Sequence, residues 1–323
     1  MLPYLVIFTS VIVGAMGAFI IGKFGSSFGF MDVCNVRSSH AVNTSRAGGI
    51  GILIVFLISG LFWVGNPYFI IPIALAGLLG LAEDRFSLSS KFRLIFQLVL
   101  SVFLIFQFVG VASFPQIFLS VFWIVFITGT ANFYNFMDGI DGIAGLTGVV
   151  YFALFAIFTH LFLKEPTITF LSLALSSACG GFLLFNFPRA KVFMGDVGSI
   201  LLGFASSSLI FKASTDINIF LCLTMFLCTF YADSLVTLYY RWRRKENLMV
   251  AHRSHLYQYM SNELKIPHWK VSLGYAMVQF VFGLLAIVCY RESSRFQLLL
   301  TVTFGILFIL TYNKIKTITV KVL

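Results

Sequence analysis

The chain has 323 residues, 59% of them apolar and 11% charged, with a formal net charge of +10. Soluble domains average about 45–50% apolar and about 25% charged residues, so a water-soluble globule, a disordered chain and a disulfide scaffold are excluded and a polytopic membrane protein remains. The five cysteines form no C-x-x-C pair, which removes a metal knuckle, and beside a bilayer the positive charge reads as loop cations and an anionic substrate rather than nucleic-acid binding.

A transmembrane helix needs about 20 mostly apolar residues. Eleven stretches qualify, at about 3–24, 47–65, 67–83, 92–110, 115–133, 143–163, 167–187, 197–211, 217–240, 269–290 and 296–313. The first has no Lys or Arg before Lys23 and reads as a span, not a cleaved signal. Gly65-Asn66-Pro67 supplies the turn between the second and third. No internal repeat is visible, so residues 1–323 form a single all-α transmembrane domain. With the N-terminus placed in the periplasm and the C-terminus in the cytoplasm, only Lys164, Lys212, Arg291 and Arg295 among the 22 Lys and Arg face outside, as the positive-inside rule requires. The acids follow the same side, with Glu165, Asp216 and Glu292 as the outer exceptions. A transporter gathers ionisable groups near the bilayer midplane. Here they gather at one face, which points to an active site at the cytoplasmic membrane–water boundary of a multi-pass membrane protein.

Five polar segments lie on that face. Ser38-Ser39-His40 and Thr44-Ser45-Arg46-Ala47-Gly48-Gly49 precede the second span and could simply cap it. Glu83-Asp84-Arg85, with Lys91, Arg93 and Gln97 after it, offers adjacent carboxylates that can share protons or bind metal; a solvated loop of mixed charge is the plain alternative. Asn132, Asn135, Asp138 and Asp141 recur every third position, with Gly139 and Gly142 beside the acids. On a helix each step of three drifts by about 60°, so they spiral round a helix end, where two amides and two carboxylates next to lipid need a ligand or partner. Phe193-Met194-Gly195-Asp196-Val197-Gly198-Ser199 opens the eighth span. Its glycines suit phosphate approach at a helix N-terminus, and Asp196 is either a hard ligand for Mg²⁺ or an N-cap. His252-Arg253-Ser254-His255 fits diphosphate contact or acid–base work. The preceding Arg241-Trp242-Arg243-Arg244-Lys245 run reads as a positive-inside anchor, and His268 receives no role. Metal ligand, candidate bases and cations beside lipid suit phosphoryl transfer onto a lipid carrier.

Together these segments resemble the polyprenyl-phosphate N-acetylhexosamine-1-phosphate transferases, which include phospho-MurNAc-pentapeptide translocase and the enzymes that start O-antigen and enterobacterial common antigen. The similarity runs from about Arg37 to Gln258, and the N-x-x-N-x-x-D-G-x-D-G and F-M-G-D-x-G-S runs carry it. His252-Arg253-Ser254-His255 looks closer to the O-antigen-initiating branch. The resemblance implies transfer of a sugar 1-phosphate from a UDP-N-acetylhexosamine (GlcNAc, FucNAc or QuiNAc type) to undecaprenyl phosphate, with release of UMP and initiation of lipopolysaccharide O-antigen or another cell-surface glycan. It implies Mg²⁺, or Mn²⁺ in its place, held by Asn135 and Asp196, and leaves room for a homodimer. It puts Asp138, Asp141 and Phe193 around the nucleoside, with Asn132 in the same motif. It puts Arg253 and His255, beside His252, on the diphosphate, and Lys91 or Arg93 on the lipid phosphate. Glu83 stands where the family has an aspartate, so the base that meets the lipid phosphate is Glu83 or Asp84, or none is needed. Asn43, Ser45 and Ala47 replace a Pro-Thr-Pro-Arg-Gly type run and leave Arg46 for donor recognition. The rival from another class is a transporter or flippase of lipid-linked sugars.

Overall fold

The computed structural model describes residues 2–32, 43–109, 113–248, 250 and 252–322. The Ser38-Ser39-His40 segment lies outside the described residues. In hydrocarbon every backbone N–H and C=O must find a partner within the protein, which leaves helices as the economical solution for an apolar chain. The helices are α1 (Leu2–Phe28), α2 (Ile50–Ser59), α3 (Pro67–Phe86), α4 (Ser90–Phe106), α5 (Phe114–Phe136), α6 (Ile143–Phe158), α7 (Pro166–Asn186), α8 (Gly195–Ala213), α9 (Ile217–Met225), α10 (Cys228–Arg243), α11 (Leu256–Gln258), α12 (His268–Glu292) and α13 (Ser294–Val322). Two-residue strands, Met31–Asp32 and Thr44–Ser45, pair antiparallel before α2.

Local chemistry sets the helix ends. Gly65 is left-handed, with φ 63°, and Asn66 accepts the Tyr68 N–H through Oδ1 at 3.0 Å, with Pro67 at the first helical position. The expected Gly-Asn-Pro turn is thus a C-cap followed directly by an N-cap. Ser89 caps α4 through the Phe92 N–H, and Asp216 caps α9 through Asn218 and Ile219.

Each of the eleven expected stretches contains helix. By length and composition, seven helices among the described residues can cross a membrane (α1, α5, α6 with its π-helical extension, α7, α8, α12 and α13), or eight if α9 and α10 count as one. The count of eleven is not confirmed. Ile50–Val64 is a shorter apolar helix, and the expected ninth span is a pair bent by 87°.

Helix α8 is the axis of the bundle. Every residue from Val197 to Ile210 is buried, as expected for a helix without a polar face. Its serines turn inward on their own helix: Ser206 and Ser207 donate to the carbonyls of Leu202 and Gly203. Helix α3 crosses α8 at Gly80, where a Cβ would overlap the Asp196 carbonyl. Helix α5 meets α8 at Gly203, whose Cβ would lie 2.8 Å from the Ala131 Cα. In lipid such close approach depends on small residues, because apolar burial gives helices little reason to prefer one another over lipid tails. These contacts bring the C-terminal ends of α3, α5 and α10 and the N-terminal ends of α4 and α8 to one end of the bundle.

Replacing Gly80 by alanine should drive α3 away from the start of α8. The expected cost is about 1–3 kcal/mol, typical of overpacking, read as a lower midpoint in thermal unfolding of the detergent-solubilised protein.

Candidate active site

The site is built around the first turn of α8. Asp84, at the end of α3, is buried, and its two oxygens accept the N–H groups of Asp196 and Val197, each at 3.0 Å. The first N–H groups of a helix have no partner within it, so a buried carboxylate here satisfies two of them and complements the helix dipole. Gly195 is left-handed, with φ 74°, and a Cβ on it would sit 2.5 Å from Asp84 Oδ2. Arg46 donates from Nε to the Asp84 carbonyl at 3.0 Å. Residues 45–49 run beside the F-M-G-D segment: Phe193 N–H donates to Ser45 O, Gly48 N–H to Phe193 O and Gly49 N–H to Met194 O.

Asp196 therefore projects from a fixed turn. Its Oδ2 accepts from Arg93 and, at 3.2 Å, from Asn135 Nδ2. Ser199 donates to Asn135 Oδ1 at 3.3 Å. Arg93 also lies 3.6 Å from Glu83 Oε1, whereas Glu83 Oε2 is buried with no hydrogen-bond partner. One helical turn before Asn135, Asn132 donates to the buried Gln97 at 2.6 Å and to the Thr128 carbonyl at 2.8 Å. Half-buried Asp138 follows; burial first, and then the charge of Asp196, pushes its carboxyl up to about 7.

The opposite wall is the segment after α10. Arg241 is buried there rather than extended to the membrane surface, which corrects its reading as an anchor. It pairs with Glu246 through Nε at 3.0 Å and donates to the carbonyls of Asn247 and Val250. The loop winds round this one guanidinium, with apolar Leu248 and Val250 on the cavity side. His252 and His255 follow, ring centres 4.9 Å apart, both near Phe136. Burial, then the neighbouring His255 and Arg241, pushes the His252 imidazole down to about 4. Tyr257 reaches across to the Phe136 carbonyl at 3.0 Å and abuts Gly139, so the D-G-x-D-G segment and the histidine loop are pinned together.

Arg93, Asn132, Asn135, Asp196, His252 and His255 thus line one cavity of about 560 Å³. Its outer wall meets, at Val125 and Gly129, a second and almost wholly apolar groove of about 730 Å³ between α5, α9, α10 and α13. Other expected residues sit elsewhere. Lys91 is exposed. Asp141 faces His268, with Nδ1 3.4 Å from its Oδ2, which gives His268 a partner that sequence reading missed. Phe193 is held by its backbone beside residues 45–48, and neither it nor Arg253 is among the residues lining the cavity. Gln97 and Asp233 were legible only as polar residues inside apolar stretches, which in lipid must find partners.

Mg²⁺ draws most of its ligands from water and phosphate and needs only one or two protein oxygens. The Asp196 carboxylate with the Asn135 amide oxygen fits that donor set, and the unpartnered Glu83 oxygen adds negative potential nearby. Among the described residues no three His, Cys, Asp or Glu side chains are grouped as a metal cluster.

A carboxylate–amide–guanidinium cluster therefore lies at one end of a helical bundle, beside an almost wholly apolar groove with which it shares Val125 and Gly129. Residues 66–214 match the family model of glycosyl transferase family 4. Over 270 residues the chain is 28% identical to the undecaprenyl-phosphate alpha-N-acetylglucosaminyl 1-phosphate transferase of Thermotoga maritima, covering 83% of this chain and 84% of that one. A probable undecaprenyl-phosphate N-acetylglucosaminyl 1-phosphate transferase of Bacillus subtilis is 26% identical over 83% of this chain and 80% of its own. The phospho-N-acetylmuramoyl-pentapeptide-transferase of Chlorobium chlorochromatii is 35% identical over a shorter stretch, 24% of this chain and 21% of its own.

The state of His252 has a pH consequence. Its folded value lies below the unfolded one near 6.5, so from pH 6.5 downward the unfolded chain takes up the proton first and stability falls. The contribution is complete above pH 6.5 and is lost as pH drops towards 4. Relative to His252→Gln, the wild-type melting temperature should therefore decline between pH 7 and pH 5, as differential scanning fluorimetry at each pH would show.

Proposed function

We propose that this chain transfers the sugar 1-phosphate of a UDP-N-acetylhexosamine to undecaprenyl phosphate at the cytoplasmic face of a bacterial inner membrane and releases UMP. One observation carries the reading: the polar cavity and the apolar groove share a wall at Val125 and Gly129, so a polyprenyl tail can lie in lipid contact while its phosphate enters a site of opposite character. The names of the relatives favour N-acetylglucosamine within the GlcNAc, FucNAc and QuiNAc group. The product would initiate an O-antigen or another surface glycan.

In the net reaction a lipid phosphate oxygen forms a bond to the sugar-bearing phosphorus. The bond from that phosphorus to the bridging oxygen breaks, and UMP leaves with the electron pair. The difficulty is that two anions must meet, so catalysis depends on positioning and charge. Asp196 and Asn135 would hold Mg²⁺, which when bound supplies Lewis-acid neutralisation of the diphosphate. Arg93, already held between Glu83 and Asp196, meets an incoming phosphate without a large reorganisation. Glu83, which lies beside Arg93 and keeps one buried oxygen without a hydrogen-bond partner, is the acid available to take a proton from a protonated lipid phosphate. His255 and His252 contact the donor from the opposite wall. Leu248 and Val250 keep water from that side.

Two measurements test the reading. Purified protein given UDP-N-acetylglucosamine, undecaprenyl phosphate and MgCl₂ should release UMP, and Asp196→Asn should slow this by at least about 10²-fold, the scale of losing one preorganised electrostatic group, with an unchanged melting temperature. Flux of lipid-linked sugar without UMP would instead mark a transporter. Gly305 lines the apolar groove but not the polar cavity and has open space at its Cβ position, so Gly305→Leu should leave folding intact while raising KM for undecaprenyl phosphate several-fold. The KM for the nucleotide sugar should stay within about twofold; equal effects on both substrates would remove the tail from the groove.

A further inference from the structure

Asp233 lies inside the apolar part of α10 and is completely buried. A carboxylate in such surroundings is costly unless it is fully paired, and this one is. Its Oδ1 accepts from the Leu256 N–H at 2.9 Å and the Thr237 hydroxyl at 3.2 Å; its Oδ2 accepts from the Tyr275 hydroxyl at 2.7 Å and the Tyr257 N–H at 3.3 Å. A further neighbour is His255 Nδ1, 3.2 Å from Oδ1.

Two of these contacts, the Leu256 and Tyr257 N–H groups, can only donate, and an ionised carboxylate, which accepts only, makes donors of the two hydroxyls as well. His255 Nδ1 must then carry a proton as well, and the lone pair of the neutral ring is on Nε2. His255 also lines the 560 Å³ cavity. With its Nδ1 edge turned to Asp233, the edge presented to the cavity carries Nε2. The loop holding the ring is fixed from a second direction: the Ser254 carbonyl accepts from the Tyr312 hydroxyl of α13 at 2.8 Å. Buried partners that set an imidazole's tautomer and aim govern what it can do to a substrate.

We propose that Asp233 is a positioning residue for the transfer reaction, holding His255 in the Nδ1–H form so that Nε2 faces the donor diphosphate. The proposal rests on the transferase reading of the cavity. The bland alternative is that Asp233 only staples the start of α11 to α10 through Leu256 and Tyr257.

Two arms separate these. In the first, ¹⁵N-histidine NMR of the full-length protein in nanodiscs, with His255 assigned by its loss in His255→Gln, should give a protonated Nδ1 and an unprotonated Nε2 at neutral pH. In Asp233→Asn the side-chain NH₂ can donate to Nδ1, and the proton should move to Nε2. The second arm is kinetic. Asp233→Asn should lower kcat for UMP release about 10²-fold, the scale of a general acid–base contribution, with KM for the nucleotide sugar changed less than threefold. Combined with His255→Gln it should add no further loss, because it acts through that ring. Multiplying losses in the double variant, or a wild-type ring protonated on Nε2, would overturn the proposal in favour of the staple. The wild-type spectrum decides even where Asp233→Asn fails to fold. A wild type that releases no UMP sinks the transferase reading itself, and with it the catalytic part of this proposal, separately from the tautomer result.

Discussion

The carboxylate of Asp84, closed on the first N–H groups of α8, is the contact from which the rest of the site follows. A helix that begins inside a protein carries orphan donors, and leaving one unpaired costs about 1–3 kcal/mol. Satisfying two of them from α3 ties the end of one helix to the start of another. Glycine at positions 80 and 195 is what lets those backbones come close enough. Once that joint is made, Asp196 can point only towards Asn135 and Arg93. Glu83, the neighbour of Asp84, projects from another side of the same turn and reaches Arg93 instead. Two adjacent acids therefore have different surroundings, one spent on helix N–H groups and one with an oxygen left free.

The second organising feature is a division of solvent. The cluster at the bundle end is polar, and the groove that shares Val125 and Gly129 with it is almost wholly apolar, with six Phe side chains among its lining. The 87° break between α9 and α10 makes that groove: a straight span would fill the space beside α5. After the break, α10 runs back to the cluster and delivers Asp233, Thr237 and Arg241 within three helical turns. Asp233 contacts His255, and Arg241 holds the loop before it. A bent helix thus builds one wall of the groove and one wall of the polar site, which is why the two share an edge.

Much of this was legible in the chain. Low charge and long apolar runs dictate a helical membrane protein, because lipid leaves few other ways to satisfy a backbone. The Gly65-Asn66-Pro67 turn, the one-sided distribution of acids and cations, and the motifs ending in Asp141 and beginning at Phe193 are local signals. Each needs only neighbouring residues to be read. The misreadings were non-local. Arg241 looked like a surface anchor because, apart from Glu246, its partners are backbone carbonyls at residues 247–250, and carbonyls have no sequence signature. His268 was passed over because its partner, Asp141, is more than a hundred residues away. The ninth span was read as straight because composition does not encode a bend at Phe226-Leu227.

By itself, then, the sequence determined the apolar solvent, the helices and most of the polar segments that meet at one end of the bundle. These properties are sums over local hydropathy and short spacings. Only the tertiary structure decided which of two adjacent acids caps a helix, which arginine meets Asp196, and which buried aspartate aims a histidine. Those outcomes depend on distances of about 3 Å between segments far apart in the chain. Such distances are set by where helices can touch, and therefore by packing rather than by pattern.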